Sequence, residues 1–329
     1  MKKAIALALS ALMLFGLCAC KGNTAESASF SVPETKEPAP TLSPGAAERT
    51  YRSCRFQERN GELYTCMTRT DGVKCLYDLL PEGVGYITRF LVTDAGIYAA
   101  IKSEYFTLDP AALYFFPFEG DALLLADELS SDGFFVMTDD ALFYPDADGQ
   151  LCRCDLAGSE SKAAVSGSVR LLDSDGGFIY YLKDDGVYRN DSTLGAESRV
   201  IDFPSSCVRV EGGQLFDLMH SPTGAAIELR DLNGALLGSV PLDEDTDHFL
   251  LSGGRLYAPR LREKAVSVID PETRETLDTI PLAGLEGYCL LWYAAEDVVW
   301  YETILNGEIV LCRADKTGVQ ELGPALVCG

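Results

Sequence analysis

A short phrase recurs along most of the chain: a small or acidic turn, then an aliphatic residue, then an aromatic one. It reads RNGELYTC at 59–66, TDAGIYAA at 93–100, TDDALFYP at 138–145 and DGGFIYYL at 175–182. It continues as EGGQLFDL at 211–218, SGGRLYAP at 252–259 and AEDVVWYE at 295–302. The aromatic marker falls at Tyr64, Tyr98, Phe143, Tyr180, Phe216, Tyr257 and Trp300, so 236 residues hold six intervals of about 39 each. A period near 40 is that of a four-stranded propeller blade, whose apolar faces are buried only when neighbours stack. The repeat therefore predicts an all-β, seven-bladed β-propeller over 51–329; six or eight blades stay open, because ring closure is not visible in a linear sequence.

The interior of each unit fits this reading. Asp71-Gly72, Asp148-Gly149, Asp185-Gly186 and Asn306-Gly307 are hairpin signals, because Gly, Asn and Asp accept positive φ. QLCRCDLAG, which follows Gly149, alternates with period two, placing Cys152 and Cys154 on one face of a strand. Long helical periodicity is absent; ALLLADEL at 122–129 could be helical and reads equally well as a blade strand. The markers Tyr64, Tyr98, Tyr180 and Tyr257 have two readings, a sugar-binding channel or packing between blades. Their equivalent places inside apolar strands favour packing.

The N-terminus is of another kind. Met1-Lys2-Lys3 is basic, and Ala4 to Leu17 is apolar except for Ser10. This is the pattern of a secretory signal peptide, shorter than the roughly 20 apolar residues of a membrane span. Its end, Leu17-Cys18-Ala19-Cys20, resembles the bacterial lipobox: an aliphatic residue, two small residues and a Cys. The resemblance implies diacylglycerol on the Cys20 thiol, cleavage before it, and a lipid anchor facing the extracytoplasmic side of the cell membrane. More than one acyl chain is needed for stable anchoring. An ordinary secretory cut or an uncleaved membrane helix are the alternatives, and all three place the rest of the chain outside the cytoplasm. The expected division is a signal peptide over 1–19, a lipidated N-terminus and disordered linker over 20–50, and the propeller over 51–329. Residues 21–50 are rich in Pro, Ser, Thr, Ala and Glu, a composition that cannot bury enough apolar surface to fold. A linker of that length holds the domain about 30 Å from its attachment point.

One unit, AVSVIDPETRETLDTIPLAG at 265–284, resembles the YVTN-type propeller repeat of surface proteins. The other units are similar to propeller lipoproteins of Gram-positive bacteria, whose repeats are related to those of low-density-lipoprotein-receptor propellers. The resemblance covers about 280 residues through turn and core positions, so it implies a fold and is nearly silent on function.

Charge and composition narrow the partners. The formal net charge is −23, which repels nucleic acid and anionic headgroups and leaves cations, neutral sugars, peptides or proteins. Of 11 cysteines, nine remain once Cys18 and Cys20 are set aside. They are odd in number and scattered, unlike a disulfide framework, and are read as small buried hydrophobes.

Catalytic chemistry is poorly supplied. Only His220 and His248 are present, no G-x-S-x-G elbow occurs, and two tryptophans are too few for the docking residues of quinone-dependent propellers. No catalytic residue and no cofactor is assigned. Asp146-Ala147-Asp148-Gly149 has the start of a calcium loop, but its Gly comes too early and no ligand follows in register, so no metal site is assigned. Arg255, Arg260, Arg262 and Lys264 form the one basic cluster legible along the chain. By repeat alignment the turns after the marker strands share one face, and on it Tyr105, Phe106, Arg260 and Arg262 are the candidate binding residues. The sequence thus predicts a membrane-anchored extracytoplasmic binding or scaffold module for a protein, peptide or glycan, with no nucleic-acid role. The alternative is a propeller enzyme acting on a surface polysaccharide or peptide.

Overall fold

The computed structural model describes residues 51–329 except 105–106, 159–160, 166–167, 176–177, 204, 206, 222–223, 284–287 and 325–329. Cys20, Tyr105 and Phe106 lie outside the described residues.

Seven small sheets follow one another along the chain and form the ring of a seven-bladed propeller. Their residues are 56–75, 86–129, 136–165, 170–201, 208–242, 250–281 and 289–324, numbered here as blades 1 to 7. Blades 2 to 7 are antiparallel meanders of four successive strands, in which each strand pairs with the next in sequence; the sheet of blade 3 gains a fifth, Tyr51–Arg52, on its inner edge. The segment 122–129 contributes the strand Leu123–Leu129, the outer strand of blade 2. Among the described residues the only helical element is a single 3₁₀ turn, Leu76–Asp78.

Each marker lies in the second strand of its blade. That strand packs against neighbouring blades on both faces, so it reads as a continuous apolar run rather than an alternating one. Ala141–Pro145 is buried at every position. Tyr98, Phe143, Tyr180, Phe216, Tyr257 and Trp300 are all buried, and Tyr64 is half-buried. The marker is therefore a packing residue, and each such side chain contributes about 1.5–3 kcal/mol by leaving water. Outer strands alternate instead, as Leu236–Leu242 does.

Turns follow the residue types. Asn60-Gly61 and Asn306-Gly307 form two-residue hairpin loops with positive φ at both positions, which Asn and Gly accept. At the close of the third strand in blades 3 to 7 stands an aspartate: Asp155, Asp191, Asp231, Asp270 and Asp315. Each accepts a hydrogen bond from the backbone N–H two residues on, at 2.8–3.0 Å. This is the Asx turn, in which a short carboxylate closes the loop to the outer strand.

Blade 1 departs from the pattern. It has three strands, and Val73–Cys75 pairs parallel to Glu62–Thr65. The expected hairpin at Asp71-Gly72 is thus corrected. Cys66, Met67 and Thr68 are buried in the connection, so the chain crosses over before Asp71-Gly72 and re-enters in the same direction. Among the described residues the ring also closes without exchanging a strand between blades 1 and 7. Phe56 sits 5.2 Å from Trp300, centroid to centroid, and Tyr293 donates to Glu58 at 2.5 Å. Phe56, Trp300 and Leu311 share one core with blade 2.

The entering chain instead stitches the first three blades from inside. Tyr51–Arg52 pairs with Val136–Met137 on the inner edge of blade 3. Cys54 and Phe90 then exchange backbone hydrogen bonds at 3.0 and 2.9 Å on the inner edge of blade 2, before Phe56 opens blade 1.

Candidate functional site

The first strand of each blade faces the axis, and there the ring encloses a cavity of about 470 Å³. Its wall draws on the first strands of blades 1, 2, 5 and 7, on the lead-in residues of blades 3 and 6, and on the entering segment. Four guanidiniums reach it: Arg52, Arg55, Arg89 and Arg209. On a chain of net charge −23 this is a concentrated reversal of sign.

Local irregularities aim these side chains. Blade 2 bulges between Ile87 and Arg89, and blade 7 bulges between Leu291 and Tyr293, where Trp292 stands. A bulge adds a residue to one strand and redirects its neighbours. Arg89 lies over Phe134 at 3.9 Å and 5.9 Å from the Trp292 ring, while Arg55 lies over Trp292 at 4.7 Å. Aromatic faces hold cations at such distances.

The four cations differ in how they are neutralised. Arg52 pairs with the buried Asp173 at 3.0 Å, and Asp173 also accepts from the Val210 N–H. Arg55 donates to the Thr88 carbonyl at 3.3 Å. Among the described residues Arg209 donates only to the carbonyl of Val208, at 3.1 Å. Arg89 makes no hydrogen bond or ion pair with another described residue, and its Nε is buried without a partner. Burial, followed by the fields of Arg55 and Arg209, pushes the Arg89 guanidinium down to about 10. Glu302 is buried on the second strand of blade 7; burial raises its carboxyl, and Arg55 opposes that shift.

A second pocket, of about 520 Å³, opens where the turns between second and third strands gather. Leu108 and Pro110 of blade 2, Asp146–Gly149 of blade 3, Ser168 and Arg170 line it. It shares Phe134 and Arg209 with the axial cavity, so the two adjoin at these side chains. Asp146 is occupied as a turn cap, accepting from the N–H of Asp148 at 3.0 Å and of Gln150 at 2.8 Å.

The residues singled out in the sequence are placed as follows. The turns after the marker strands do share one face, as the meander order requires. Arg260 and Arg262 lie on that face in blade 6. Arg260 pairs with Glu263 at 3.1 Å, and Arg262 with Glu244 and Asp245. Tyr105 and Phe106 lie outside the described residues; nearby, Lys102 Nζ donates to the carbonyls of Thr107 and Ser131. His248 joins blades 6 and 7: it accepts from the Leu291 N–H at 2.8 Å through Nε2, and its Nδ1 meets Asp247. His220 is exposed at a strand end.

The channel arginines are candidate site residues that sequence reading missed. A signal was available: Arg55, Arg89 and Arg209 stand nine, nine and seven residues before their blade's marker, Arg89 and Arg209 on the strand that faces the axis and Arg55 just before it.

No family model matches the sequence, and no curated protein matches it. Among solved structures, a chain of a nidogen/laminin complex is similar at 11% identity and a TM-score of 0.44, over 70% of this chain and 93% of that one. A chain of the hydrazine synthase of Kuenenia stuttgartiensis is similar at 12% identity and a TM-score of 0.45, over 68% and 74%. These likenesses are too distant to carry function; the seven sheets themselves establish the propeller.

Proposed function

We propose that this propeller is a membrane-tethered, extracytoplasmic binding module, anchored through lipid on Cys20, which presents the face of its second-to-third-strand turns to a protein, peptide or glycan partner. The observation that carries this reading is the polarity of the ring. Tyr51 pairs beside Met137, next to the first-to-second-strand turn of blade 3. The segment Tyr51–Arg52 thus enters the ring on the face opposite the pocket of blades 2 to 4, and the turns of the pocketed face stay clear of it for a partner. The exposed Leu108 on its rim supports the same assignment.

The test has two arms. Cys20→Ser should leave an unprocessed precursor and abolish fatty-acid labelling; retained labelling would refute the anchor. Replacing Tyr105, Phe106, Arg260 and Arg262 together with Ala should leave the fold intact and reduce recovery of envelope partners. Unchanged recovery by the folded variant would move the docking surface elsewhere.

A further inference from the structure

The axial cavity carries an inference independent of the tether and of the docking face. A half-buried guanidinium with no anionic partner is costly, since taking a charge out of water is offset only by an opposite charge or a full set of hydrogen bonds. Arg89 has neither, and the nearest other cations, Arg55 and Arg209, repel it. The rings of Trp292 and Phe134 fix the planes of these guanidiniums without neutralising them. The arrangement is thus preorganised, cationic and incomplete.

We propose that the cavity binds a small organic dianion of the dicarboxylate class, its carboxylates taken by Arg89 and Arg209 and its carbon body lying against the apolar wall. Three features select this class. A planar guanidinium fork matches a carboxylate in two parallel hydrogen bonds. With Arg52 taken by Asp173 and Arg55 in the field of Glu302, the cations without an anionic partner among the described residues of the wall are Arg89 and Arg209, which match a charge of two. The cavity, about 470 Å³, exceeds the needs of an inorganic ion, and Phe134, Phe135, Leu250 and Trp292 in its wall favour carbon over water. The pocket of about 520 Å³ on the turn face adjoins this cavity at Phe134 and Arg209.

The test uses the purified full chain with succinate as probe. Succinate should raise the melting temperature in a saturable way, since a ligand of the native state stabilises it by mass action. It should also change tryptophan emission, because Trp292 lines the cavity whereas Trp300, the other tryptophan, is buried in a blade seam. Arg89→Gln and Arg209→Gln should each weaken binding by at least about tenfold, the loss expected of a charge-assisted pair. Arg69→Gln, which alters only an exposed ion pair with Asp78, should bind as the parent does. Arg89→Gln should in addition raise the melting temperature without ligand, because it removes an unpartnered cation; a merely structural arginine would lower it. Failure of succinate to bind the folded parent would overturn the proposal, as would binding retained in both channel variants. Inorganic phosphate stabilising the parent as strongly as succinate, at equal ionic strength, would also overturn it by showing a general oxyanion site.

Discussion

Asp270 shows how a single residue type is reused around the ring. Its carboxylate accepts from the N–H groups of Glu272 and Thr273 at 2.8 and 3.1 Å, and hydrogen bonds to the charged form, that from Thr273 foremost, hold it below the usual carboxylate range. Asp191 and Asp315 are lowered in the same way, first by the hydroxyls of Thr193 and Thr317. A carboxyl depressed in the folded state binds fewer protons than in the unfolded chain, so its stabilisation is complete above the unfolded pKa of about 4 and is lost as pH falls through the folded value. The melting temperature should therefore decline as pH falls below about 4. Asp270→Asn should flatten part of that decline, and an unaltered acid limb would show that the turn carboxylate is uncoupled from folding. The cysteines behave otherwise. Eight described thiols are free, and all but Cys54 are buried. Burial pushes the Cys54 and Cys154 thiols up to about 12 and that of Cys66 to about 11. The native domain should resist a thiol-reactive dye at neutral pH, and reductant should leave its melting temperature unchanged. A large fall with reductant would mean that a disulfide contributes, since losing one typically costs about 2–5 kcal/mol.

At the scale of the blade, stability resides in seams rather than in isolated sheets. Gly234, in the third-to-fourth-strand turn of blade 5, has φ +90, and a Cβ there would overlap the carbonyl oxygen of Val200 on the outer strand of blade 4. Arg189 of blade 4 reaches across to the carbonyl of Leu232 at 2.8 Å. Gly234→Ala should cost more than about 1 kcal/mol in urea unfolding, since positive φ alone strains an L residue by that order and the overlap adds to it. No loss would mean that this turn does not pack on blade 4. The blades were legible in the sequence because the feature that marks them, an aromatic inside an apolar second strand, is the one the fold buries. Asp71-Gly72 misled because a turn dipeptide reports local φ and not the direction in which the next strand pairs. The channel was not legible as a cluster, since Arg55 and Arg209 are 154 residues apart and meet only when the ring closes. The linear cluster at Arg260 and Arg262 was visible, yet the neighbouring Glu263, Glu244 and Asp245 neutralise it.

For the whole molecule, closure of the ring is what creates an axis, a cavity and two distinct faces. Closure depends on the seam of blades 1 and 7, where no strand is shared among the described residues and Phe56, Tyr293 and Trp300 do the packing. Phe56→Ala should destabilise the domain by about 3–5 kcal/mol, as large aromatic truncations in cores do. The most direct measurement is amide hydrogen exchange, strand by strand, under native conditions. In a closed ring, Phe56–Arg59 and Cys289–Ala295 are protected as one cooperative unit, and Phe56→Ala speeds exchange in both together. Exchange of Phe56–Arg59 well ahead of blade 7, with blade 7 unaffected by Phe56→Ala, would show an open array and contradict the channel on which the functional account rests.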